Sequence, residues 1–111
     1  MTINDDQAAA IVKAIVMNAV EDYTRSATIL RHRFYPPLRG YGLKTRSKRS
    51  VEVAIIEGRA AERWIRSQEF TGLTGLDGDA VVEGLARRNF IRPGHFDEMY
   101  TKYREIYMKE G

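Results

Sequence analysis

NDDQAAAIVKAIVMNAVEDYTRSATILR, residues 4–31, sets the fold class. Its apolar residues Ala8, Ile11, Val12, Ile15, Val16, Ala19, Val20 and Tyr23 recur at steps of three and four, which gathers them into one stripe of an α-helix. Asn4 or Asp5 caps the start, because a side-chain oxygen there accepts a first-turn N–H that has no partner inside the helix. Asp5 and Asp6 lie at the positive end of the helix dipole. The stretch Thr24 to Ala27 is where a kink would fall, with Ile29 and Leu30 resuming the packing beyond it.

Working outward, the pattern stops at Phe34. Pro36-Pro37 ends any helix, and Gly40 and Gly42 flank Tyr41 in a segment that reads as a long loop, about residues 34–49. Ser50 is the expected cap of a second helix, Val51 to Gln68, whose apolar residues cover a wide arc around Gly58, a position suited to close helix–helix approach. Trp64 on this helix is expected to be buried between the two long helices. Phe70 to Leu76 is a short turn-rich element. Asp77 then caps a helix to about Arg88 with Ala80, Val81, Leu85 and Ala86 facing inward. After the turn Arg92-Pro93-Gly94, a last helix runs from about His95 to Lys109. No segment alternates with the period of two that a strand requires. The expected architecture is all-α: one domain over residues 1–111, four main helices and a long basic loop.

Composition narrows the function. The chain has 111 residues, 43% hydrophobic and 30% charged, a balance that builds one modest core. No apolar run approaches the roughly 20 residues of a membrane span. Met1 to Gln7 is polar and acidic, which predicts a cytoplasmic protein. Cysteine is absent, so thiol catalysis, disulfides and Cys-ligated zinc are excluded. The only two histidines, His32 and His95, have no carboxylate at metal-ligand spacing. Gly72, Gly75 and Gly78 lack the Lys-Ser/Thr of a phosphate loop, and the paired acids fall in first turns of helices, where capping accounts for them. The expectation is a non-enzymatic protein with no cofactor and no metal.

Charge is segregated. Between Arg25 and Ser50 lie eight basic residues and no acidic one, so the rest of the chain holds ten basic and fifteen acidic. Arg31, Arg33, Arg39, Lys44, Arg46, Lys48 and Arg49, with Phe34, Tyr35 and Tyr41 among them, are the candidate contacts to a polyanion. Cations neutralise phosphates and release counterions, while tyrosine stacks or hydrogen-bonds to the backbone. An acidic protein surface would suit the same residues, as would a solvated loop of excess charge.

The segment Phe70 to Arg88 has helix-turn-helix spacing: a short helix, a turn at Gly75 and a capped helix. Asp77, Asp79 and Glu83 at the start of the second helix would face phosphates in the usual docking, so a plain helical corner packed under Trp64 is an equal reading. Asn18-Ala-Val-Glu-Asp-Tyr23, Ala61-Glu-Arg-Trp-Ile-Arg-Ser67 and Leu73-Thr-Gly-Leu-Asp-Gly-Asp-Ala-Val81 together resemble short bacteriophage and prophage proteins. The resemblance covers about half the chain. It implies a helix-turn-helix-like fold and a mobile-element origin. Thr71-Gly72 and the basic stretch from Arg31 to Arg49 depart from that pattern.

Phe96, Tyr100, Tyr103 and Tyr107 are spaced by four, three and four on the last helix. Such a stripe is core, or the interface of a homo-oligomer or partner complex.

Overall fold

The computed structural model describes residues 4–34 and 48–108, with the side chains of 31–34, 48–50 and 105–108 outside the description. Five helices account for nearly all of it: α1 (Asp5–Phe34), α2 (Lys48–Ile65), α3 (Gln68–Thr74), α4 (Gly78–Arg88) and α5 (His95–Met108). No strand occurs among the described residues. The all-α expectation holds. Where four main helices were expected there are five, because the stretch around Phe70 is a helix of its own.

α1 runs through Thr24–Ala27 without interruption. Its start is a reciprocal cap: the Gln7 N–H donates to Asn4 Oδ1 at 2.7 Å, and the Asn4 N–H donates to Gln7 Oε1 at 3.2 Å. α2 begins at Lys48, two residues before Ser50, so Ser50 lies in its first turn and is not its cap. Of the loop expected over about 34–49, Phe34 belongs to α1 and Lys48 and Arg49 to α2, and residues 35–47 lie outside the described residues. Ser67 caps α3, which the sequence had suggested only as a turn-rich element, by accepting from the Phe70 N–H. Asp77 caps α4 as expected, accepting from the Asp79 N–H at 3.0 Å.

α2 is the central element, packed against each of the other four helices. α1 lies antiparallel to it: Leu30 shares a core with Val51, Arg25 reaches Glu57, and Val16 and Ala19 meet the Ile65 end. Tyr23, Ala27 and Leu30 from α1 join Val51, Ala54, Ile55 and Ala61 from α2 and Phe96 from α5 in the main core. A second core gathers Ile65, Phe70 and Val82, with Val16, Ala19, Val81, Leu85 and Trp64 against it. Trp64 is therefore not between α1 and α2. It is half-buried at the edge of the second core, edge-on to Phe70 at 5.5 Å. On α4 the buried positions are Gly78, Val82 and Ala86, while Ala80 faces solvent. The expected inward face was rotated, because α4 meets α2 at its first turn, where a Cβ on Gly78 would run into the Ile65 carbonyl.

The seam of α2 and α5 depends on a missing side chain. A Cβ on Gly58 would collide with the Phe96 ring, which lies buried across that position and edge-on to Tyr23 at 5.1 Å. Glu62, one turn further on the same face, is also buried; its Oε1 accepts the Gly94 N–H at 3.0 Å and ties the α4–α5 turn to α2. Outside the core, Asp97 on α5 receives Arg59 at 2.7 Å and Arg63 at 3.5 Å, and the Arg59 guanidinium lies 4.1 Å above the Tyr100 ring.

Two glycine-to-alanine substitutions in helices are expected to act with opposite sign. Alanine is the better helix former by about 1 kcal/mol. At Gly84, where nothing lies within 4 Å of a new Cβ, that gain is realised and the urea midpoint rises. At Gly58 the clash with Phe96 costs about 1–3 kcal/mol, which outweighs the gain, and the midpoint falls. A Gly58→Ala variant as stable as Gly84→Ala would show that Phe96 does not pack where described.

Candidate nucleic-acid interface

α1 ends and α2 begins at the same end of the helix pair, since Leu30 and Val51 belong to one core. Arg31 and Arg33 occupy the last turn of α1; Lys48 and Arg49 open α2. Tyr35, Arg39, Tyr41, Lys44 and Arg46 lie in the connecting segment, outside the described residues. The first turn of α2 contains no acidic residue. That composition is unusual at a helix N-terminus, where partial positive charge favours Asp or Glu and makes Lys and Arg unfavourable by a few tenths of a kcal/mol each. An anion held there by the exposed N–H groups and the adjacent cations reverses that balance.

Arg25 does not belong to this group. Its guanidinium pairs with Asp22 at 2.6 Å and Glu57 at 3.3 Å, so within the acid-free stretch of sequence it is the one cation with a described partner. Four further cations pair with acids: Arg59 and Arg63 with Asp97, Arg66 with Asp79 at 3.7 Å, and Arg87 with Glu83 at 3.4 Å. These pairs are largely exposed and each contributes at most about 1 kcal/mol. They matter more as charge matching than as stabilisation.

The aromatic stripe of α5 divides. Phe96 is core; Tyr100 and Tyr103 are half-buried against it. Tyr100 lies under Arg59, and the Tyr103 hydroxyl donates to Glu52 Oε2 at 3.1 Å. The Tyr107 side chain falls outside the described residues. With Phe96 beside Gly58 and Tyr103 beside Glu52, α5 runs antiparallel to α2, so its last turns approach the basic end.

Two features escaped the sequence reading. Buried Glu62 could have been found from spacing, since Gly58, Ala61, Glu62 and Ile65 fall on one helical face. Phe90 is the other. α4 closes with the paired hydrogen bonds of a Schellman turn, Ile91 N–H to Ala86 C=O at 3.0 Å and Phe90 N–H to Arg87 C=O at 3.3 Å. The residue between must be left-handed, and it is Phe90, with φ 59° and 77% of its surface exposed. A side chain in that conformation costs on the order of 1 kcal/mol relative to glycine. Arg87, Arg88 and Arg92 flank it.

Tyr23 Oη and Ser26 Oγ are buried without a hydrogen-bond partner among the described residues. Burial, reinforced by the Glu62 charge and opposed by Arg66, holds the Tyr23 phenol above its ordinary pKa, so it is a poor acid. No cluster of three His, Asp or Glu able to hold a metal occurs among the described residues. No protein-family model, no curated protein and no solved structure matches the chain.

His95 predicts a pH dependence. Burial lowers its pKa below 6.5, with Lys102 and Arg92 adding to the fall and Glu98 and Glu62 opposing it. The unfolded chain therefore takes up this proton at higher pH than the folded one. The contribution is full above about pH 6.5 and is lost as the pH falls toward the folded-state value. Stability measured by urea denaturation at about pH 7.5 and 5.5 should drop on acidification, and less so in His95→Gln. An equal drop in both proteins would assign the effect to the carboxylates.

Proposed function

We propose that the chain is a non-enzymatic DNA-binding protein that contacts phosphates through the basic segment between α1 and α2. It would be of the kind that phages and prophages carry as regulators or packaging accessories, the group its motifs resemble. The observation that carries this reading is the run of seven cations from Arg31 to Arg49 without a carboxylate, in a chain whose remaining eleven cations are outnumbered by fifteen acids. A polyanion is the natural complement of such a distribution. The start of α2 supports the same reading, with helix N–H groups and two cations at one point.

Base reading is expected to be weak. α3, the left-handed Gly75 and α4 follow one another as in a helix-turn-helix, but α4 opens with Asp77 and Asp79, and its arginines sit in its last turn. An acidic helix N-terminus is repelled by the groove it would enter. Affinity should be nearly independent of sequence.

A second reading, a phage-encoded module that docks on a host complex or virion protein, is favoured by a different observation. The first half of α1 leaves Ile11, Ile15 and Met17 exposed, next to an apolar groove formed with Leu73 of α3. Under this reading the basic segment meets an acidic protein surface.

The test is duplex DNA binding by fluorescence anisotropy across salt concentrations. Log affinity should fall linearly with log salt, by about 0.9 per phosphate neutralised. Replacing Arg46 and Arg49 with glutamine should flatten the slope by about two units and leave sequence preference unchanged. Absence of binding at low salt by a chain that circular dichroism shows to be helical would overturn the DNA reading and favour the second.

A further inference from the structure

The first half of α1 is an exposed helix almost without charge. From Gln7 to Val20 the single charged residue is Lys13, in a chain of which 30% is charged. α2 ends opposite Val16 and Ala19, so α1 continues beyond it toward its own N-terminus, with α3 beside it on one flank at Leu73 and Thr74. Another flank carries Ala8, Ile11, Ile15 and Asn18, all exposed and spaced by three, four and three. That spacing sets them in one line along the helix, the line through which two helices form a seam. Apolar residues scattered singly need no explanation, but a continuous line of them marks an interaction surface.

The line is its own complement. Two copies of α1 laid antiparallel about a two-fold axis level with position 13 set Ile11 of each against Ile15 of the other, and Ala8 against Asn18. Ala14 then meets Ala14 beside the seam, and two small side chains admit close approach. The nearest acids do not repel: Asp22 falls opposite Asn4, and Glu21 opposite Gln7. Lys13 lies on the other side of the helix, lining the groove with Met17 and Leu73. The helix dipoles oppose each other in this arrangement, whereas a parallel pair would align them and set Asp22 against Asp22. The seam from Ala8 to Asn18 is about 15 Å long, which fits the roughly 18 Å by which α1 outruns α2. A foreign partner selected by charge would find nothing on this face to recognise.

We propose that the chain forms a homodimer through an antiparallel α1–α1 seam centred between Ile11 and Ile15. The proposal goes beyond the DNA-binding reading and does not rest on it. A two-fold contact closes on itself, so association stops at the dimer. The interface is one helix face, at the small end for a specific complex, so monomer and dimer exchange with concentration. Arg31 stands eighteen residues, about 27 Å, from the axis in each copy, so the dimer carries its two basic segments at opposite ends.

The test is sedimentation equilibrium of the full chain over a roughly hundredfold range of concentration, at low and at high salt. The parent should shift from the monomer mass toward twice that mass, equally at both salts, because an uncharged seam is not screened. Ile15→Asp should stay helical by circular dichroism, since the side chain is exposed in the monomer, and should weaken the dimer by roughly tenfold or more. Ile11→Lys should do the same. A mixture of the two variants should associate more tightly than either alone, because only the antiparallel register sets the lysine against the aspartate. A parent that stays monomeric throughout would overturn the proposal and leave this face to a partner of another kind. A dimer that Ile15→Asp leaves intact would overturn the seam and place association elsewhere. A mixture that fails to associate would overturn the antiparallel register. Nucleic acid is absent from every arm, so none of these results decides the DNA-binding reading.

Discussion

The Phe96 ring across Gly58 holds the fold together. α2 is the helix on which the others pack, and α5 can lie close to it only because position 58 has no Cβ. That approach puts Phe96 edge-on to Tyr23 of α1, so three helices far apart in sequence meet at one aromatic contact. An edge-to-face pair contributes about 0.5–1.5 kcal/mol beyond its buried area, and the burial of two aromatic rings contributes more. One turn along α2, Glu62 secures the entry to α5 through the Gly94 N–H, which fixes the register in which Phe96 arrives. Asp97, next in the chain, then falls opposite Arg59 and Arg63.

This arrangement also partitions charge. Once α2 and α5 are in register, Arg59 and Arg63 of α2 are occupied by Asp97, and Arg25 is occupied by Asp22 and Glu57. A chain of net charge +3 carries its positive excess in the stretch of sequence that holds no acid, from Arg31 to Arg49. Matched pairs in the body contribute little to stability. Under the proposed function their consequence is electrostatic, since acids engaged in pairs in the body leave the basic stretch as the site that would steer a polyanion.

α1 is longer than its partner needs. Thirty residues extend about 45 Å and the eighteen of α2 about 27 Å, so the two cannot cover each other. The excess lies at the N-terminal half of α1, where α3 covers only part of the stripe. Ile11 and Ile15, one position round from the packed line of partly buried Val16 and Ala19 and buried Tyr23, Ala27 and Leu30, are left 49% and 41% exposed.

Periodicity, proline and charge were legible without coordinates. Steps of three and four made α1 a helix, Asp77 announced the start of α4, and Pro36-Pro37 marked the gap between α1 and α2. These are local effects, decided by a side chain and its neighbours within one turn. The basic run was legible too, because composition needs no geometry. The rotation of α4, the place of Trp64 and the pairing of Arg25 were not. Each depends on which helix lies opposite, and several faces of nearly equal hydrophobicity were available on α2 and α4. Gly58 and Gly78 chose among them by admitting backbone or ring contacts that a Cβ would forbid. Phe90 is the clearest case: its letter suggests core, and only the closing hydrogen bonds of α4, which demand a left-handed residue there, turn its ring to solvent.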